Sequence, residues 1–171
     1  AVAEENNGAV ITLIDNVDIE TQRKSVTTNE VVYDEDELQF EKGAVTLDLG
    51  NYTITESSSG VISVEANTKL TINADEEGKV YGTTYVAGTG ELVINIGYFE
   101  SDDDTISTAG HLVINDGTFV STADDASWNT TGYAVMFWHD ESVSIAGYLA
   151  LASGQISGGI FKGGMDIFCM Q

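Results

Sequence analysis

The chain has 171 residues, 28 of them Asp or Glu against 6 Lys or Arg, for a formal charge of −22. Its 42% hydrophobic content, recurring along the whole chain, fits one globular domain spanning 1–171 and argues against an acidic disordered chain. Six cations argue against nucleic-acid binding and against an anionic membrane surface, and no apolar run approaches the roughly 20 residues of a membrane span.

At the N-terminus, Ala1-Val2-Ala3-Glu4-Glu5 shows neither the basic nor the apolar region of a secretory signal. Proline is absent, and 18 glycines do the turning. From Asn29 to Phe40, Val31-Val32-Tyr33 and Leu38-Gln39-Phe40 read as strand pieces around an acidic turn. The stretch Thr46-Leu47-Asp48-Leu49 is the first of a series. Lys69-Leu70-Thr71-Ile72-Asn73 returns as Glu91-Leu92-Val93-Ile94-Asn95 and as His111-Leu112-Val113-Ile114-Asn115. The second and third copies continue alike, Gly97-Tyr98-Phe99-Glu100-Ser101 against Gly117-Thr118-Phe119-Val120-Ser121. Ser142-Val143-Ser144-Ile145 followed by Gly158-Gly159-Ile160-Phe161 reads as a degenerate late copy.

Within a copy the pattern is Leu in, polar out, Ile in, the period of a strand. One such strand cannot bury its apolar face alone. Stacking copies every 20 to 22 residues makes a continuous core, so the expected fold is all-β, a parallel β-helix or β-solenoid of roughly six or seven coils. A hairpin-connected sandwich is the alternative, but no two-residue Asn-Gly or Asp-Gly turn joins strands in hairpin fashion. These repeats, over about residues 8–121, resemble the degenerate repeats of pectate-lyase-like right-handed β-helices. They are most similar to those of bacterial adhesin-like surface proteins and of phage virion proteins. The resemblance implies a right-handed helix and implies no particular reaction, because the same architecture carries lyases, hydrolases, adhesins and fibres.

The chain divides chemically. Residues 1–121 are regular acidic coils, and 122–171 are irregular and aromatic-rich, with Trp128 in an insertion that breaks the period. Trp128, Tyr133, Met136, Phe137, Trp138, Phe161 and Phe168 are interface candidates, since aromatic and Met side chains with few charges suit an interface core. A terminal cap over the open end of the stack is the competing reading.

Catalytic signals are thin. Asp103 and Asp104 with His111 superficially resemble a polysaccharide-cleaving site, yet no Arg-x-Lys follows, and the net charge repels acidic sugars. Asp102, Asp103, Asp104, Asp124 and Asp125 make oxygen-rich turns that are weak cation-binding candidates for calcium, without the EF-hand spacing. One Cys and two His do not support zinc, and the single Cys169 excludes an internal disulfide. No cofactor is expected. Glycan binding without cleavage would need exposed aromatics such as Trp128 or Tyr98 aligned on one face. The leading expectation is a non-enzymatic structural and interaction module on an extracellular surface or a virion. It would be a phage decoration or fibre protein attached through its C-terminal half to sister subunits or a scaffold. A bacterial surface adhesin repeat is the alternative. The size and the natural-looking ends tilt the choice to a small complete virion protein.

Overall fold

Short segments that alternate apolar and β-branched polar residues, bounded by Gly and Asn, satisfy their backbone groups only by pairing with one another. In a computed structural model, residues 8–19, 22–24, 31–33, 37–123, 132–145, 148–163 and 165–169 are described, and every element is a strand.

Six rows follow one another along the chain. The first has β1 (Ala9–Thr12) and β2 (Val17–Ile19), then an antiparallel hairpin of β3 (Gln22–Lys24) and β4 (Val31–Tyr33), then β5 (Leu38–Phe40). The second is β6 (Gly43–Asp48) and the long β7 (Thr53–Val64). The third is β8 (Thr68–Asn73) and β9 (Lys79–Val86). The fourth is β10 (Glu91–Ile94), β11 (Tyr98–Ser101) and β12 (Ile106–Thr108). The fifth is β13 (His111–Ile114), β14 (Thr118–Ser121) and β15 (Tyr133–Phe137), followed by an antiparallel pair, β16 (His139–Ile145) and β17 (Tyr148–Leu151). The last is β18 (Ser153–Ile156), β19 (Ile160–Lys162) and β20 (Met165–Cys169).

The first strands of the rows form a six-stranded parallel sheet in the order β1-β6-β8-β10-β13-β18. The others form a ten-stranded sheet with two parallel runs. One run is β2-β7-β9-β11-β14-β19, and the other is β5-β7-β9-β12-β15-β20. Strands β7 and β9 belong to both. Lys79–Tyr81 pair with β11 and Thr84–Val86 with β12. Between them Gly82 takes φ 118°, a conformation open to glycine and strained for any side chain, and the strand changes run there.

The register is the one the repeats predict. Leu70, Leu92 and Leu112 are neighbours, as are Ile72, Ile94 and Ile114, and all six are fully buried. Full burial of each such side chain contributes about 1.5–3 kcal/mol. In the row before, Val45 and Leu47 stand beside Leu70 and Ile72. On the first run Phe119 stacks on Phe99 at 5.2 Å and on Phe161 at 5.1 Å, with the rings within 10° of parallel. Asn73, Asn95 and Asn115 form an outer ladder in which the Asn95 amide donates to Asn73 and the Asn115 amide to Asn95, each at 2.7 Å.

One expected copy is corrected. Ser142–Ile145 is not a stacked repeat but part of the antiparallel β16, and the strand that continues the sheet is β18. There Gly154 takes the Leu position beside Leu112. A Cβ on Gly154 would lie 2.6 Å from the Leu112 carbonyl and 2.8 Å from the ring of Phe137, so both the backbone of the row before and that ring leave no room for a leucine. Among the described residues two antiparallel hairpins also stand beside the parallel sheets, although the sequence shows no two-residue Asn-Gly or Asp-Gly turn joining strands.

Candidate functional site

The acidic turn Asp102–Asp104 is the bend between β11 and β12. Asp102 and Asp103 are exposed, and Asp104 is half-buried. Its polar atoms hold neighbouring rows together. The Asp103 amide donates to Ser101 Oγ at 3.1 Å, and the Asp103 carbonyl accepts from Ser121 Oγ at 2.7 Å. Asp104 Oδ1 accepts the Tyr133 amide at 2.9 Å. Thr83 of the row before and Ser101 share a hydroxyl hydrogen bond at 3.0 Å. Burial pushes the Asp104 carboxyl up to about 6, against the opposing Tyr133 amide and with Asp103 adding to the rise. Burial also raises the Tyr85 phenol, reinforced by the charge of Asp103.

His111 stands elsewhere. It opens β13 on the exposed side of the six-stranded sheet, with Nδ1 2.8 Å from Ser153 Oγ. Asp103 and Asp104 engage the Ser101–Ser121–Tyr133 corner, so the three proposed catalytic groups are divided between two sheets. Among the described residues no three His, Cys, Asp or Glu side chains gather where they could hold a metal ion. Asp124, Asp125 and Trp128 lie outside the described residues.

Tyr98 faces outward on β11 near Tyr81, with ring centroids 6.3 Å apart and planes tilted by 59°. Lys79 Nζ lies 5.5 Å from the Tyr98 centroid. The Tyr98 hydroxyl donates a hydrogen bond to Glu100, which pushes the phenol up to about 12. The two rings do not form one flat platform.

The interface candidates divide. Tyr133, Met136, Phe137 and Trp138 are half-buried. Phe137 and Phe161 pack against the core, Phe161 through the ring stack. Phe168 pairs through its backbone beside Met136. The indole Nε1 of Trp138 is buried without a hydrogen-bond partner among the described residues, while its amide donates to Thr108 O at 2.9 Å. Aliphatic residues that the aromatic pattern does not single out are the exposed ones. Ile156, Ile160 and Ile167 are 36%, 56% and 43% exposed. Ile156 sits in register with buried Ile114, and Ile167 with buried Val135. Those two inward positions are open because they belong to the last row, whereas Ile160 continues the outward column of Tyr98 and Thr118. The signal that could have found them is the repeat itself, extended to the strand after Ala152.

No family profile, curated protein or solved structure matches the chain.

Proposed function

We propose that the chain is a right-handed β-solenoid that serves as a non-enzymatic structural and interaction module on an outer surface. It is of the virion decoration or fibre kind, attached through its C-terminal end to a protein partner. The rows that return to the same parallel ladders, at 22 and 20 residues in the middle, support the solenoid. The strong right-handed preference of connections between parallel strands supports the hand.

One observation carries the functional reading. The last row leaves the inward residues Ile156 and Ile167 exposed, and its three strands each have a partner on one side only among the described residues. Unpaired parallel edges with apolar inward positions are a surface that association covers. The acidic outside keeps neighbouring copies apart and solvated.

Cys169 provides the test. It is the only cysteine, it is exposed, and it lies on β20 in that last row. Maleimide labelling of the free chain and of intact source particles or cells is compared, with an antibody to the chain locating it. The expected result is surface labelling by the antibody and a thiol that reacts in the free chain but is protected on the intact surface. A chain confined to the interior, or a thiol equally reactive in both, overturns the reading.

A further inference from the structure

The two ends of the stack are complementary to each other. The first row is open in the same way as the last. Ile11, Leu13, Val17, Ile19 and Leu38 are only partly buried, whereas Leu47, Leu49, Ile54 and Ile62 in the row above are at most 1% exposed. Among the described residues β1, β2 and β5 each pair on one side only.

The registers carry any position of the first row up to the last, strand by strand. On the six-stranded sheet the column of Ala9 ends at Gly154, and the column of Ile11 ends at Ile156. On the first run of the other sheet, Val17 connects through Ile54, Val80, Phe99 and Phe119 to Phe161. The adjoining outward column runs from Asp18 through Thr55, Tyr81, Glu100 and Val120 to Lys162. On the second run, Leu38 ends at Ile167 and Phe40 at Cys169.

We infer that the C-terminal row receives the N-terminal row of a second copy, so that copies stack head to tail and prolong all three parallel ladders. This rests on the reading of the C-terminal end as the attachment surface and names its occupant. A pure translation along the stack places small Ala9 on Gly154, Ile11 on Ile156, Val17 on Phe161 and Leu38 on Ile167. It also places Asp18 of one copy beside Lys162 of the next, and both side chains are exposed. The Ile–Ile, Val–Phe and Leu–Ile contacts are of the kind already made between neighbouring rows, and the one cation of β19 meets an anion. The backbone edges of β18, β19 and β20 gain parallel partners, as in strand addition to a sheet edge. The interface is heterologous, and a translation does not close into a ring, so growth is open-ended. The net charge of −22 opposes the approach of copies, so screening it strengthens the stacking.

The test is sedimentation velocity on the full purified chain over a concentration series, at physiological salt and at about 1 M, where the Debye length falls from about 8 Å to about 3 Å. The expected result is a ladder of masses without an end point, shifted to larger species by salt. Lys162→Glu and Asp18→Lys each weaken association about ten-fold at physiological salt, and an equimolar mixture of the two variants, or the double variant, recovers it. A polymer maleimide on Cys169 stops growth at that end. Circular dichroism checks that the variants fold.

A chain that stays monomeric in every condition overturns the stacking. So does a dimer that grows no further and ignores Asp18→Lys. The two readings fail separately. If the purified chain is monomeric while Cys169 is protected on the source surface, stacking falls and attachment to a different protein stands. If it is monomeric and Cys169 reacts freely there, both fall.

Discussion

At the scale of single residues, the titrating groups and the stacked rings make the sharpest claims. Asp104 is the carboxyl whose folded pKa is about 6 against an ordinary 3.8. Between pH about 4 and 6 the folded chain holds that proton while the unfolded chain does not. Folded stability therefore falls as pH rises through this window and carries the full penalty above it. Asp104→Asn keeps an oxygen for the Tyr133 amide and removes the charge. In denaturant titrations it is expected to be more stable than the parent at pH 7 by about 1 kcal/mol, a figure reduced because the half-exposed carboxyl is screened by water. The difference vanishes below pH about 4. The chain's overall charge also changes with pH, but in both proteins alike, so the difference isolates this group. Tyr98 offers a second titration. Its hydrogen bond to Glu100 holds the proton to about 12. Ultraviolet titration, read as the difference between the parent and Tyr98→Phe, should place this phenol well above the ordinary 10.0, and Glu100→Gln should bring it back toward that value. In the ring stack, Phe119 is fully buried between two neighbours and Phe161 has one. Phe119→Ala is expected to cost about 3–5 kcal/mol, and Phe161→Ala distinctly less, because water already reaches the terminal ring.

At the scale of the element, the turn before the Phe strand explains why the sequence is so legible there. Gly117 takes φ 135°, and a Cβ on it would lie 2.7 Å from the Gly97 carbonyl and 3.2 Å from the Phe119 ring. Only glycine lets one row pass this close to the next, so the Gly-x-Phe spacing recurs and can be read by eye. Gly117→Ala is expected to lower the thermal midpoint substantially, while Asp116→Ala beside it, exposed at the same turn, changes it little. Where such markers fail, so does reading from sequence. Row six keeps the Gly159–Phe161 spacing but replaces the inward Leu by Gly154, where the Leu112 carbonyl and the Phe137 ring from another strand both come too close for a side chain. That substitution depends on a contact distant in sequence, and alternation within one strand contains no trace of it. The hairpins are hidden for a related reason. Ser142–Ile145 alternates as a ladder strand does, and only its antiparallel partner distinguishes it. The acidic turn was legible as acidic turns are, but its task was not. The Asp104–Tyr133 hydrogen bond spans 29 residues, and spacing gives no sign that the carboxylate braces the next row.

At the scale of the whole molecule, each row touches mainly the row before and the row after, so stability is close to a sum over nearest neighbours. An interior row has two such neighbours, and an end row has one among the described residues. The burial follows that count. Leu70, Ile72, Leu92 and Ile94 are fully buried, while Ile156 and Ile167 are exposed. Opening an end row uncovers one interface, whereas opening a central row breaks two and divides the stack. Hydrogen exchange is therefore expected to be graded along the axis, with amides in β8, β9 and β10 slowest and those in β1 and β18 fastest. Two-sheet sandwich packing would give a different result, because protection would then follow distance from one central core and not position in the row order. The gradient also bears on the open ends. If copies stack head to tail, raising concentration and salt should slow exchange in β1, β2, β5 and β18–β20 together and leave β8–β10 unchanged, since the new interface adds a neighbour only to the rows that lack one.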